Sequence, residues 1–400
     1  MTSNWEIVKA EDFCFTVTDG THDSPKAKEN GHYLITSKHL APYNIDFSSA
    51  KKISEEDYQK VIKRSPVEQW DILFSMIGTI GITYLEKNID IDYACKNMGI
   101  FKFNGDKDKA YWLYHYLQTP QAKEYILGHL RGTTQQYLPL GSLRDFPIQV
   151  PSAEIRNNIT LILRSLDDRI AVNTAINENL EQQAQALFKA WFVDFEPFGG
   201  VMPDDWSECI LDSMCSLIIK GITPKYNEHS AQLVINQKCV RNHQIDLSLA
   251  RCHEPKKVNE KWLQYGDIVV NSTGTGTLGR AAQVLFTPNN MTVDSHVTII
   301  RASKQEYIYY LGLWATSHEH DFEMLQTGST GQTDLPRERL KQMQIVLPSD
   351  SILSSFSKVI KPIADIRIQK QQENQRLSAL RDTLLPKLMN GEIDVSAVQI

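Results

Sequence analysis

Short apolar runs bounded by Gly, Asn and Pro alternate with two very long stretches of three-and-four spacing. HYLITS, WDILFSMI, QLVIN, GDIVV and HVTIIR carry β-branched and aromatic residues at strand length, and read as strands. AYWLYHYLQ and YIYYLGLWA are longer and helical in rhythm. From about Ser152 to Asp194, Ile155, Ile159, Ile162, Leu166, Ile170, Leu180, Leu187 and Trp191 recur at steps that one helix face requires. Pro151-Ser152 sets its start, and Pro197 with Gly199-Gly200 stops it. A second helix, from about Ser351 to Leu385, repeats the rhythm with Leu353, Phe356, Ile360, Ile363, Leu377, Leu380 and Leu384. Pro362 and Pro386 are expected to kink or end it. The first helix would span roughly 60 Å at the rise of an α-helix.

The pattern occurs twice, at a shift of about 197 residues. Trp5 answers Trp206, Asp71-Ile72 answers Asp267-Ile268, and GTIG (78–81) answers GTLG (276–279). Leu138-Pro139 matches Leu335-Pro336, Leu143 matches Leu340, and Asp168, Asn177, Leu180 and Leu187 match Asp365, Asn374, Leu377 and Leu384. Each copy is a globular α/β part followed by a helix. The expected segments are 1–150, 151–198, 199–349 and 350–400. The fold class is α+β: two mixed α/β domains separated by two long antiparallel, coiled-coil-like helices, with an internal pseudo-twofold repeat. Asn173, Asn177 and Asn374 fall near the apolar seams, where a polar residue can fix register. The helices complement in charge. The first has four basic and six acidic residues from Glu154 to Asp194; the second has seven basic and three acidic from Lys358 to Lys387. The competing reading packs each helix onto its own domain.

Composition narrows the class. Across 400 residues, 42% hydrophobic and 22% charged is globular, and no apolar run reaches the ~18 residues of a membrane span. Six scattered cysteines without a C-x-x-C pair, and a start without a basic–apolar leader, suggest a reduced, cytoplasmic chain. A net charge of −6 argues at first against nucleic acid. Its distribution weakens that objection, because Lys220 to Arg241 holds four basic residues against one acidic.

Catalytic signatures are sparse. Gly274-x-Gly276-x-x-Gly279 follows a strand, but RAAQVLF and Pro288 come next instead of a helix, so a dinucleotide site is disfavoured. There is no phosphate-binding P-loop, nucleophile elbow or zincin motif, and no Pro-Pro for an N-P-P-Y methyltransferase pocket. Glu254-x-Lys256 with Asp246 is a common pattern in a charged loop and has no partner in the first copy. Cys239-x-x-x-His243 and Cys252-His253 lack the second ligand pair that zinc needs. What both copies share is six loops rich in Thr, Ser, Gln, Lys and Gly. They are DGTHDSPK (19–26), LITSKHL (34–40) and RGTTQQYLPL (131–140), then KGITPKYNEH (220–229), NSTGTGTLGR (271–280) and TGSTGQTDLP (327–336). Hydroxyls and amides beside glycine suit phosphates and base edges.

LDDRIAVNTAINENLEQQAQALFKAWFVDFEPF (166–198) resembles the central helical region of the specificity (S) subunits of type I restriction-modification systems. LRDTLLPKLMNGEIDV (380–395) is similar to the family's C-terminal end, and the first-copy loops to its target-recognition domains. The resemblance covers nearly the whole chain. It implies double-stranded DNA as ligand, with each recognition domain reading one half of a split, asymmetric site and the helices setting the spacer. It implies two methyltransferase (M) subunits and ATP-driven restriction (R) subunits as partners, and no membrane. It implies a chain without catalysis or cofactor of its own; S-adenosylmethionine, ATP and Mg serve the partners. Carried onto the loops, DNA contact would fall to Thr21, His22, Lys26, Ser37, Lys38, Thr133, Thr134, Gln135 and Gln136 in the first copy. In the second it would fall to Lys220, Thr223, Lys225, Asn271, Ser272, Thr275, Arg280, Ser329, Thr330 and Gln332. KGITPKYN departs from DGTHDSPK, which suggests a different half-site. A related system, in which the recognition subunit serves a fused nuclease-methyltransferase, and a two-domain scaffold without a DNA role remain as alternatives.

Overall fold

The computed structural model describes residues 5–41, 43–254, 258–274, 276–328 and 333–396. The chain divides into two compact units, one of residues 1–172 with 373–400 and the other of residues 173–372. Each unit therefore takes its globular part, half of one long helix and half of the other.

The first unit is built on a four-stranded antiparallel sheet ordered Thr16–Asp19, Met98–Lys102, Ile72–Ser75, Thr83–Leu85. A three-stranded mixed sheet lies beside it, with His32–Ile35 between antiparallel Lys51–Ile53 and parallel Tyr93–Cys95. A third, two-stranded sheet pairs Glu6–Lys9 with Pro147–Val150. The second unit repeats this topology. Its four-stranded order is Cys215–Lys220, Val297–Ala302, Ile268–Asn271, Ala281–Gln283, and Gln232–Ile235 sits between Arg251–His253 and parallel Met291–Val293. Ser207–Ile210 pairs with Gln344–Leu347. The apolar runs read as strands are strands, and the two helical runs become Lys107–Tyr116 and Ile308–Ser317.

The repeated Asp-Ile pair has a physical cause. Buried Asp71 accepts from Lys102 Nζ at 2.6 Å and from the Glu68 N–H at 2.8 Å. Asp267 accepts from Arg301 Nε and Nη2 at 2.7 Å each and from the Gln264 N–H at 2.8 Å. In each unit a buried, hydrogen-bonded ion pair ties the turn before one central strand to its neighbour, and either partner alone would leave a desolvated charge.

The first long helix runs Ala153–Phe192 and the second Asp350–Met389. Pro362 and Pro386 do not end the second. Each removes one donor, but Ile360, Ile363 and Ala364 pack on one core, and Leu385, Leu388 and Met389 on the other. That burial outweighs one missing hydrogen bond. In the first unit the two helical segments run antiparallel, with Arg169 Nε to Glu373 at 2.7 Å and Arg381 to Asp167 at 3.1 Å. Asn374 there donates to the Ile170 carbonyl at 3.3 Å. In the second unit Arg367 pairs with Glu181, and the Trp191 and Phe356 rings lie 5.5 Å apart. Asn173 and Asn177 are buried. Both sequence readings of the helices hold at once: they pair with each other and pack on the domains. Val395, near the end of the chain, completes the first unit's core, and its carbonyl accepts from Asn158 at 3.1 Å.

A candidate nucleic-acid interface in each unit

Strand direction gathers the loops. Asp19 ends one strand opposite Gly99, and Ser75 ends another opposite Met98, so the segments after 19 and 75 and before 98 leave the same end of the sheet. The mixed sheet feeds the same place, because the Lys96 N–H donates to the Ile35 carbonyl at 2.9 Å and Thr21 bridges Lys96. Gly20 permits this close approach; a Cβ there would lie 2.3 Å from the Cys95 carbonyl oxygen. The equivalent Gly221 faces the Val293 carbonyl at 2.0 Å by the same measure.

The loop at 131–137 is a hairpin whose neck is double-bonded. Arg131 and Tyr137 exchange N–H···O bonds of 2.9 Å, and Tyr137 bridges Ile77 in the turn that carries GTIG. Gly132 sits at φ +91°, and a Cβ would meet the Gln135 carbonyl oxygen at 2.4 Å. The four residues at the tip, Thr133, Thr134, Gln135 and Gln136, are exposed. His22 is also exposed; its ring contacts Asn97 Oδ1 at 2.9 Å and buried Asp19 at 2.9 Å. Lys26 and Lys38 are exposed, and Ser37 opens a short 3-10 turn that runs to His39. Thr21 is different. It is buried, and its Oγ1 accepts from the Asp23 N–H at 3.1 Å, so it shapes the loop rather than offering it a surface.

The second unit brings its loops to the corresponding end. Lys220 lies opposite Thr298, Asn271 opposite Val297, and the Asp294 N–H donates to the Ile235 carbonyl at 2.9 Å. Thr273 and Thr327 both bridge Asp334. Lys220 pairs with Asp334, and exposed Lys225 with Glu254 at 2.9 Å. Thr223 is exposed and Arg280 half-buried. Asn271 and Ser272 are fully buried and correct the sequence reading of them as surface contacts. Asn271 Nδ2 donates to the Gln237 carbonyl at 3.0 Å, and Ser272 Oγ meets Thr298 Oγ1. Thr275, Ser329, Thr330 and Gln332 lie outside the described residues.

Sequence reading missed one loop. QLVINQKCV aligns with HYLITSKHL, which puts Gln237 and Lys238 where Ser37 and Lys38 stand. Thr273 Oγ1 lies 2.8 Å from His296 Nδ1 and 3.4 Å from Gln237 Oε1, so this amide belongs to the loop cluster. After the glycine motif, the turn at 276–279 leads into the strand Ala281–Gln283, not into the helix a pyrophosphate needs.

A sequence model described as the type I restriction modification DNA specificity domain matches residues 2–182. A type I restriction enzyme specificity subunit of Methanocaldococcus jannaschii, MjaIX, is 26% identical, over 98% of this chain and 94% of that protein. Along nearly its whole length the chain is similar to type I specificity subunits, and residues 2–182 match their DNA specificity domain. The HindI specificity subunit of Haemophilus influenzae is 24% identical over 82% of this chain and 88% of its own length. A crystal structure of a type I S subunit from M. genitalium shares the fold, with TM-score 0.56 and 15% identity over 96% of both chains. Among the described residues, no helix of this specificity-subunit relative is long and apolar enough to cross a membrane.

Proposed function

We propose that the chain reads a two-part DNA site, one half with each unit, and directs adenine-N6 methylation by two M subunits and cleavage by R subunits. The observation that carries this reading is the duplicated loop end: in both units the Thr-, Gln- and Lys-bearing loops leave one end of the same sheet topology. A duplicated reader calls for a duplicated target. Amide and hydroxyl side chains on backbone-anchored loops can pair with base edges, and the lysines with phosphates. The chain itself contributes sequence choice and carries no catalysis. S-adenosylmethionine, ATP and Mg are used by the partner subunits, and adenine is flipped out of the duplex to be methylated.

Methylome sequencing of cells that express this chain with its M partner is expected to show adenine methylation at two short blocks separated by a fixed gap. A single continuous block would overturn the reading. The first long helix joins the two recognition parts in sequence, so its length sets the gap in this proposal. Four residues, about one turn, inserted between Val172 and Asn173 should change the gap and leave both blocks intact. Changed blocks at an unchanged gap would show that the helix is no ruler.

A further inference from the structure

The first unit carries a row of side chains that its reading loops do not explain. Lys28 bridges Lys52, with the Lys28 N–H on the Lys52 carbonyl at 2.9 Å, and Lys52 in turn lies opposite Tyr33. Residues directly opposite on antiparallel strands point to one face. The Lys28 and Lys52 side chains therefore leave the same face of the sheet, and Lys51 nearby donates to the Pro25 carbonyl at 2.6 Å. Opposed like charges cost stability in a sheet. Within the cleft they line, of about 440 Å³, only Glu29 is acidic. Lys52 Nζ lies 5.2 Å from the centre of the Tyr33 ring, which packs on Phe47 at 5.0 Å. The cleft is thus an open, cationic hollow with an aromatic floor, adjoining the 19–26 loop through Pro25 and Lys51.

Among the described residues the second unit does not repeat the Tyr33–Lys52 pair. Leu233 and Cys252 occupy the positions of Tyr33 and Lys52 in the same strand register. The shared topology does not need these lysines, and a lysine pair on one sheet face kept in one copy alone points to an anionic ligand.

We propose that this cleft holds the DNA backbone beside the half-site read by the first unit. Lys28 and Lys52 meet successive phosphodiester oxygens, and the Tyr33–Phe47 floor packs against deoxyribose. The inference rests on the DNA-reading function proposed above. It adds an anchor that is indifferent to sequence and belongs to one unit only.

The test uses the full chain purified with its M subunits and two duplexes, one bearing the methylated motif and one scrambled. Binding is titrated against salt for the wild type, K28Q/K52Q and K28R/K52R. The Gln variant should bind both duplexes about tenfold more weakly near physiological salt. Its plot of log affinity against log salt should be shallower by about 1 to 2, since each neutralised phosphate contributes about 0.9. The Arg variant should restore both quantities, and the methylated motif should not change. Unchanged affinity and slope, or a loss confined to the motif duplex, would overturn the phosphate assignment. A wild type that does not distinguish the two duplexes would instead sink the function proposed above, so the two failures are separable.

Discussion

Gln135→Ala with Gln136→Ala should erase the motif block read by the first unit and leave the other block intact. The fold gives no reason for these changes to unfold anything. Both residues sit at the exposed tip of the hairpin, while its neck is fixed by backbone bonds between Arg131 and Tyr137 and by the bridge to Ile77. Gly132, which alone fits the turn, is untouched. An amide that pairs bidentately with adenine contributes about 1–3 kcal/mol of discrimination. Losing two such pairs should weaken specific binding by about 30-fold or more, with little change on scrambled DNA. In the methylome the affected block becomes degenerate and the gap is kept. A variant with an unaltered motif would remove these glutamines from the reading surface.

That prediction depends on burial, which the sequence conceals. The strands and the duplication were legible because backbone periodicity and core residues recur in order, as with Asp71-Ile72 and Asp267-Ile268. The loop residues were legible by type only. Thr21, Asn271 and Ser272 look as exposed as Thr133 in a string of Ser, Thr and Gly, yet their partners are Cys95, Gln237 and Thr298, far away in the chain. Small polar side chains serve equally as ligands and as internal ties, and only the tertiary neighbour decides. The prolines of the second helix misled for a related reason: the local cost of Pro362 is visible in sequence, whereas the packing of Ile360, Ile363 and Ala364 that offsets it is not. Gln237 and Lys238 could have been found by aligning the two copies strand by strand. The Lys28–Lys52 row could not, because it depends on which strands pair.

Arg367→Ala should loosen the second unit severely. Arg367 and Glu181 are largely buried and form an ion pair between the two helical segments of that unit. The hairpin at 240–245 is tied to the same pair. Its two-residue turn places Asn242 and His243 at φ +49° and +56°, the left-handed geometry of a tight hairpin. His243 Nδ1 reaches Glu181 Oε1 at 3.0 Å, and Gln371 on the second helix donates to the Ile245 carbonyl at 3.1 Å. Removing the guanidinium leaves Glu181 desolvated with only His243 and Gln185 beside it, a loss of about 3–5 kcal/mol for a buried pair broken on one side. Glu181→Leu with Arg367→Met removes both charges and should recover most of that stability. Hydrogen exchange of the full chain reads this locally: amides of 350–372 should exchange faster in the Arg367 variant and near the wild-type rate in the double variant. Unchanged exchange in the single variant would refute the role given to the pair. The histidine adds a pH dependence of definite sign. Burial opposes its charge, but Glu181 and Glu319 outweigh burial and hold the imidazole above its ordinary value. A raised histidine contributes its full stabilisation below the ordinary pKa of about 6.5 and loses it as pH rises through the folded value. The second unit should therefore weaken as pH rises above about 6.5, and His243→Gln should flatten that decline.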